Sequence, residues 1–199
     1  MADTAALAHE AGLKNIMVSN GFSSRACLDA LAGLIDAANI DLKAMDPAFY
    51  EQVCGARLAP VLKNLAHIRR LGWWLEVTTL LIPGRNDDDA QLMRLAQFLV
   101  NELGADTPWH ISRFHPDFAM RDARPTPPER LERAYAIGRE AGLRYVYVGN
   151  VHDDRRNATL CPSCGAVVLT RAGMGLAASH MHGGACDACG ATIAGRGLP

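Results

Sequence analysis

The chain has 199 residues, 49% of them hydrophobic, and a formal net charge of −1 at pH 7. A chain of this size can bury the core of one ordinary domain and carry a small appendage without cross-links. The near-zero charge argues against broad electrostatic attraction to nucleic acid or to an anionic membrane. The N-terminal stretch lacks the regions of a signal peptide, and no apolar run has the length of a membrane span. We therefore expect a cytoplasmic protein.

Helices and strands alternate up to about residue 150. The first helix ends near Gly12, strands are predicted at 15–20, 40–43, 73–82, 109–114 and 145–149, and helices follow at about 23–35, 46–54, 60–71, 88–103 and 126–142. This order predicts an α/β fold in which parallel strands form an open sheet or a partial (βα) barrel with helices outside. Because the chain opens on a helix, we expect the first strands to have an unpaired edge and half-covered apolar faces.

Polar side chains follow the predicted strands at their carboxyl ends. Asp41 and Lys43 alternate onto one face of the second strand, and Arg113 and His115 do so on the fourth. In parallel α/β folds this edge is where ligands bind. The residues alone leave a second interpretation open, in which Asp41 and Lys43 form an exposed surface ion pair and His115 is an ordinary loop residue.

The last fifty residues form a separate unit in this interpretation, with a boundary between 1–150 and 151–199. Two C-x-x-C-G knuckles, separated by 21 residues, have the spacing of a zinc ribbon. They predict a four-cysteine metal site, with zinc ahead of iron, formed by Cys161, Cys164, Cys186 and Cys189. A redox dithiol is less favoured, because neither knuckle begins a helix. The intervening His180 and His182 could compete as ligands, but we interpret them as loop residues.

Several segments in order carry a resemblance to a known family: 18–22, 41–43, 76–84, 110–116, 145–150 and the Cys-Pro-Ser-Cys run 161–164. Together they resemble the radical S-adenosylmethionine (SAM) protein of the AmmeMemoRadiSam system, which is related to the activating enzymes of pyruvate formate-lyase. The resemblance covers nearly the whole chain. It implies a partial (βα)6 barrel with a [4Fe-4S] cluster and SAM. In that family one electron from the cluster cleaves the sulfonium to a 5′-deoxyadenosyl radical that abstracts hydrogen.

The resemblance also implies which residues bind the cofactor. Ser19 and Asn20 match a strand end near SAM, and His115 matches a histidine near its adenosyl group. Asp41 and Lys43 match a pair that contacts the ribose or the methionyl carboxylate. The chemistry agrees, because a carboxylate suits ribose hydroxyls and a lysine suits a carboxylate.

The chain departs from the family in a feature that the mechanism needs. It lacks the C-x-x-x-C-x-x-C run that binds three irons and leaves the fourth open to SAM. A Gly-Gly-Glu-Pro-type strand end is also missing, and we expect both to lie N-terminal to Met1. Where the related enzymes carry an arginine on the strand 73–82, this chain offers Thr78 or Glu76. The four-cysteine tail cannot replace the cluster site, because four thiolates saturate its metal.

The first interpretation is therefore a truncated radical SAM enzyme that is inactive alone. Its partner would be the missing N-terminal barrel portion or a protein substrate. The alternative is a non-catalytic zinc-ribbon module that binds a protein partner through its exposed sheet edge. Nucleic-acid binding is disfavoured, because the arginines of the tail (Arg155, Arg156, Arg171 and Arg196) are few and scattered.

Overall fold

The computed structural model describes residues 1–151, 156–173 and 175–199, so Arg155 lies outside the described residues. The α-helices are α1 Ala2–Glu10, α2 Arg25–Ala30, α3 Pro47–Gln52, α4 Leu58–Arg70, α5 Asp89–Phe98 and α6 Pro128–Glu140. A π-helical turn, Leu99–Leu103, extends α5, and a 3-10 turn spans Phe118–Met120. Among these residues no helix combines the length and apolar content needed to cross a membrane.

The strands fall into one large sheet and two small ones. The large sheet contains β1 Ile16–Ser19, β2 Ala37–Asp41, β3 Trp74–Leu81, β4 Trp109–Arg113 and β5 Val146–Gly149. The small sheets contain β6 Thr159–Leu160, β7 Val167–Ala172 and β8 Gly175–Ser179, and β9 Met181–His182 with β10 Ala185–Cys186.

The five strands of the large sheet are parallel and lie in chain order, β1-β2-β3-β4-β5. In a doubly wound fold the order reverses at a switch point, whereas here every crossover moves one strand in the same direction. Such a sheet keeps its helices on one side and curls as the wall of a barrel does. The predicted α/β fold with parallel strands and outer helices is confirmed.

The two faces of this sheet differ in composition. Side chains alternate along β3, and those that are buried, such as Leu75 and Val77, form the main core with the helices. The opposite face, which we call the inner face, carries polar and aromatic side chains: Asn39, Asp41, Trp74, Glu76, Thr78, His110, Tyr145 and Tyr147. A polar inner face is suited to solvent or to a ligand.

The edge strand β1 is open on its inner face. Ile16 and Val18 are 68% and 79% exposed, although both are apolar. Within 1–151, 156–173 and 175–199, β1 pairs with β2 alone, which agrees with the unpaired edge and half-covered face expected of the first strand. On the other side of the strand, Asn15 Nδ2 donates hydrogen bonds to the carbonyls of Ala5 and Leu34, each at 2.8 Å.

The C-terminal small sheets form a ribbon that packs against the inner face at β5. Tyr145 and Tyr147 join Val168, Leu169 and other ribbon residues in a second apolar core. The backbone N–H of Ala194 donates to the Tyr145 hydroxyl at 3.0 Å. The ribbon therefore covers the inner face at the β5 edge of the sheet.

Two local predictions are wrong. The helix predicted to reach residue 35 ends at Ala30, because a turn follows it and Gly33 adopts a φ of +75°. The last helix, predicted to begin at about Thr126, begins at Pro128, and Thr126 is fully buried. Its hydroxyl accepts from the backbone N–H of Phe114 at 2.8 Å and donates to the carbonyl of Leu81 at 2.5 Å. It joins the ends of β3 and β4.

Candidate functional site

The predicted pair Asp41 and Lys43 lies at the carboxyl edge of the large sheet. Asp41 is the last residue of β2, and its Oδ2 is 2.9 Å from Lys43 Nζ. Both side chains are 31% exposed, so each can also reach a ligand. The structure thus brings the two residues together on one face, as their spacing predicts.

Buried polar side chains fix the loop that carries Lys43. Asn86 is 2% exposed, and its Nδ2 donates to the carbonyls of Lys43 at 2.5 Å and Leu80 at 2.9 Å. Its Oδ1 accepts from the backbone N–H of Ile82 at 2.7 Å. The hydroxyl of Tyr50 accepts from the backbone N–H of Lys43 at 3.1 Å. Because these groups are satisfied only in this conformation, the loop is held in place.

The end of β1 places Ser19 and Asn20 at the same edge. Ser19 Oγ accepts from the backbone N–H of Gly21 at 3.2 Å, and Asn20 Oδ1 accepts from the N–H two residues on at 3.0 Å. Gly21 has a φ of +73°, and a Cβ there would lie 2.8 Å from Ile40 Cγ2, so only glycine suits this turn. The buried Asn64 Nδ2 donates to the Gly21 carbonyl at 2.9 Å.

His115 follows β4 at the carboxyl edge but lines another cavity. This open cavity of about 680 Å³ is lined by His115, Arg85 and Arg113, among others. Neither Asp41 nor Lys43 lines it. The structure therefore places all the predicted cofactor residues at one edge without bringing His115 to the Asp41 and Lys43 pair.

Sequence reasoning missed a polar network lower on the inner face. Glu76 Oε1 accepts from Trp74 Nε1 at 2.9 Å, and its Oε2 is 2.7 Å from His110 Nε2. Burial disfavours the charged carboxylate, but the hydrogen bonds from His110 and Trp74 outweigh it and lower the pKa of Glu76. Beside them Thr78 Oγ1 donates to Asn39 Oδ1 at 2.7 Å. The sequence does contain a signal for this network, because Glu76 and Thr78 alternate with apolar residues along β3.

The four cysteines of the ribbon form a compact cluster. The Sγ atoms of Cys161 and Cys189 are 3.6 Å apart, those of Cys164 and Cys186 are 3.8 Å apart, and all four lie within 4.8 Å of one another. Sulfurs bound to one tetrahedral zinc at about 2.3 Å lie about 3.8 Å from each other. The predicted metal-binding group is confirmed as a cluster of the right size for one ion.

The two knuckles have the same backbone geometry. Gly165 and Gly190 have φ values of +75° and +72°, and their N–H groups donate to the carbonyls of Cys161 at 2.9 Å and Cys186 at 2.8 Å. Each turn thereby presents its two sulfurs to the same point. Hydrogen bonds from the backbone N–H groups of Cys164 and Ser163 lower the pKa of Cys161, whereas the neighbouring sulfurs raise the pKa of Cys189, so the thiols of the cluster hold their protons unequally.

Two curated relatives match parts of the chain. An uncharacterized protein of Methanocaldococcus jannaschii is 44% identical over 171 residues, which are 86% of this chain and 50% of that protein. The benzylsuccinate synthase activating enzyme of Thauera aromatica is 30% identical over 88 residues, 44% of this chain and 27% of the enzyme. The chain thus spans half or less of the curated relatives it matches. No protein-family model matches it.

Solved structures share the fold at low sequence identity. A domain of the pyruvate-formate lyase-activating enzyme from Bacteroides vulgatus superposes with a TM-score of 0.66 at 18% identity, over 75% of this chain and 89% of that one. Streptococcus suis SuiB bound to S-adenosylmethionine superposes with a TM-score of 0.60 at 12% identity, over 76% of this chain and 36% of that one.

The fold is that of radical SAM enzymes, so the likeness to this class that the sequence motifs indicate is confirmed at the level of the fold. Within that class, the likeness to activating enzymes is present both in the sequence and in the structure. The chain covers only part of the proteins it matches by sequence, which agrees with a C-terminal part of such an enzyme.

Proposed function

We propose that this chain is the SAM-binding C-terminal part of a radical SAM enzyme of the activating-enzyme type, from the AmmeMemoRadiSam family and the cytoplasm. The observation that carries the proposal is the Asp41–Lys43 pair, 2.9 Å apart at the carboxyl edge of a sheet with the radical SAM fold. In parallel α/β folds that edge is where ligands bind.

The residues present suit the cofactor. The carboxylate of Asp41 can accept hydrogen bonds from ribose hydroxyls, while the ammonium of Lys43 can donate to the methionyl carboxylate. Ser19 and Asn20 would hold the same molecule from the end of β1, and His115 would lie on its adenosyl side. A bound [4Fe-4S] cluster would supply the electron for reductive cleavage of SAM.

We propose that the open edge of β1 is where the cluster-binding portion of the barrel joins this chain. Ile16 and Val18 are 68% and 79% exposed there, on an edge strand with no partner among the described residues on its outer side. An exposed apolar strand edge is a template for another strand. The cluster would then lie beside the end of β1, next to Ser19 and Asn20.

We propose zinc as the metal of the ribbon. Sulfur separations of 3.6 and 3.8 Å match one tetrahedral ion. A four-iron cluster binds each thiolate on a different iron, so its ligands would have to lie further apart. Metal analysis of the purified chain should give about one zinc per chain.

Titration of SAM into the chain by calorimetry tests the main proposal. Asp41→Ala and Lys43→Ala should each weaken binding by tenfold or more, on the order of 1.4 kcal/mol, because each removes a charged partner of the cofactor. Asp106→Ala is the matched control, since Asp106 also forms an exposed ion pair, with Arg144 at 3.0 Å.

If both site variants bind SAM as tightly as the unsubstituted chain does, Asp41 and Lys43 form only a surface ion pair and the proposal is contradicted. Failure of the unsubstituted chain to bind SAM at millimolar concentration would contradict it as well. When a separate polypeptide that carries the cluster-binding portion is added, the affinity of the unsubstituted chain for SAM should rise more than that of the variants. The reason is that the two portions would bind the same SAM molecule.

A further inference from the structure

A second cavity lies at the opposite end of the strands, between the inner face and the ribbon. Its volume is about 730 Å³, within the range of small-molecule sites. The sheet contributes the amino ends of its strands, including Ala37 of β2, Trp74 of β3 and Tyr145 beside β5. The ribbon contributes Leu169 and Arg171. The cavity is therefore distinct from the carboxyl edge where Asp41 and Lys43 lie.

Five charged residues line this cavity. Lys14 and Asp36 pair with each other at 3.3 Å, Arg196 donates to the carbonyl of Gly72 at 2.8 Å, and Glu76 and Arg171 remain. Glu76 from β3 and Arg171 from β7 both line it, and among the described residues no ion pair joins them. The Glu76 carboxylate is held by Trp74 and His110 at 2.9 and 2.7 Å, and each of its oxygens keeps a lone pair for another donor. Its side chain is 32% exposed, so a ligand can reach it.

Arg171 is positioned as firmly as Glu76. Its Nη1 donates to the carbonyl of Asn157 at 2.7 Å, and its Nη2 donates to Thr159 Oγ1 at 3.1 Å. Its guanidinium carbon lies 5.2 Å from the ring centroid of Tyr147, which stacks on His110 at 5.0 Å. Three of the five N–H donors of Arg171 are left for a ligand.

Apolar side chains complete the cavity. Leu169 and Ile193 are 7% and 4% exposed, and together with the indole of Trp74 they form a wall beside the charged pair. A cavity with a fixed anion, a fixed cation and an apolar wall is complementary to a small molecule that carries all three features.

We infer that this cavity binds a free α-amino acid with an apolar side chain. The ammonium group would lie against Glu76 and the carboxylate against Arg171, with the side chain on Trp74 and Leu169. Each charge of the ligand would then replace water with a fixed partner of opposite sign. The inference is independent of SAM binding at the other edge.

Nuclear magnetic resonance of the full, metal-loaded chain tests the inference, with the indole N–H of Trp74 as the reporter. That group donates to Glu76, whereas Trp73 and Trp109 are 1% and 0% exposed. The probes are L-phenylalanine, 2-phenylethylamine, which has only the ammonium, and 3-phenylpropanoate, which has only the carboxylate. L-phenylalanine should shift the Trp74 signal and bind about tenfold or more tightly than either analogue.

Two substitutions separate the charges. Glu76→Gln should weaken L-phenylalanine and the amine about tenfold and leave the propanoate unchanged. Arg171→Met should weaken L-phenylalanine and the propanoate to a similar degree and leave the amine unchanged. If Arg171→Met disturbs the ribbon, Arg171→Lys, which keeps the charge but loses the planar fork, should weaken L-phenylalanine and the propanoate by less than Arg171→Met would and leave the amine unchanged. Glu51→Gln and Arg94→Met, on the exposed helix side, are matched controls.

Several results would overturn the inference. The first is that none of the three probes shifts the Trp74 signal at about 10 mM. The second is that Glu76→Gln leaves the affinity for L-phenylalanine unchanged. The third is that 2-phenylethylamine binds as tightly as L-phenylalanine. Loss of SAM binding in Asp41→Ala has no bearing on these results, so the two proposals fail or hold separately.

Discussion

The two edge strands of the large sheet differ in how far their inner-face side chains are covered. On the inner face of β1, Ile16 and Val18 are 68% and 79% exposed. On the inner face at β5, Tyr145 and Tyr147 are 4% and 9% exposed, because the ribbon packs on them. Since both strands belong to one parallel sheet, the difference comes from the elements packed against each strand and not from the sheet itself. The ribbon covers the β5 side of the inner face, and within the described residues no comparable element covers the β1 side.

Each edge is stabilised by a different kind of interaction. The β5 edge is held by an apolar core and, we propose, by a metal ion. The β1 edge is stabilised by polar contacts of Asp36. Its Oδ2 accepts from the backbone N–H of Asn15 at 2.8 Å and lies 2.9 Å from His9 Nε2. This comparison leads to three predictions of decreasing size.

The largest effect is expected at the β5 edge. Cys161→Ser should abolish metal binding and unfold the ribbon, since the folding of small zinc modules depends on about 10 kcal/mol of metal-binding free energy. The main core does not include the ribbon, so the helical circular dichroism of the body should persist. Metal content, circular dichroism and the exposure of Tyr145 and Tyr147 measure these effects.

Cys27→Ser is the matched control, because Cys27 is exposed and lies outside the cluster. It should leave metal content and stability unchanged. Loss of the helical signal together with the metal in Cys161→Ser would show that the ribbon and the body fold as one unit.

A smaller effect is expected at the β1 edge. Hydrogen bonds from Asn15 and His9 lower the pKa of Asp36 from 3.8 to about 2. Folding therefore favours the ionised carboxylate, and this stabilisation is present above pH 3.8 and is lost as the pH falls through 2. Asp36→Asn should lower the free energy of unfolding by about 1–2 kcal/mol at pH 7, after allowance for solvent screening.

Urea unfolding at pH 7 and about pH 3 measures this linkage. The difference between Asp36→Asn and the unsubstituted chain should fall to about half at the lower pH. Asp122→Asn is the control, because Asp122 lies in an exposed turn and its substitution should show no such pH dependence. Asp88→Asn would not serve, because Asp88 caps α5. An equal destabilisation at both values would attribute the effect of Asp36 to geometry and not to charge.

The smallest effect on stability is expected from Val18→Lys. Val18 is 79% exposed, so the free energy of unfolding should change by less than about 0.5 kcal/mol. A lysine at an open edge opposes strand addition, so self-association should decrease in analytical ultracentrifugation. Val167→Lys is the matched control, since Val167 is 41% exposed on the ribbon. Unchanged self-association in Val18→Lys, relative to this control, would show that the edge does not recruit strands.

The elements that sequence patterns predicted best are those with strong local signals. The strand Trp74–Leu81 follows from a continuous run of β-forming residues, and the four-cysteine cluster follows from spacing alone. The pair Asp41 and Lys43 follows from the two-residue period of a strand. In each case the deciding interactions are close in sequence or are fixed by ligand chemistry.

The features that patterns missed depend on contacts between distant residues. Asn86 and Lys43 are 43 residues apart, and Glu76 and His110 are 34 residues apart. Such contacts can be predicted only when the strand order and register are known, because no local sequence signal specifies them. The packing of the ribbon on Tyr145 and Tyr147 is likewise a property of the assembled sheet.

The chain-order arrangement of β1 to β5 has a consequence for how the protein forms. In the described sheet each strand pairs with the strands immediately before and after it in the chain, so the sheet can form one strand at a time as the chain is synthesised. No strand has to be inserted between two others that are already paired. A further parallel strand could pair with the outer edge of β1 without any change in the existing strand pairs.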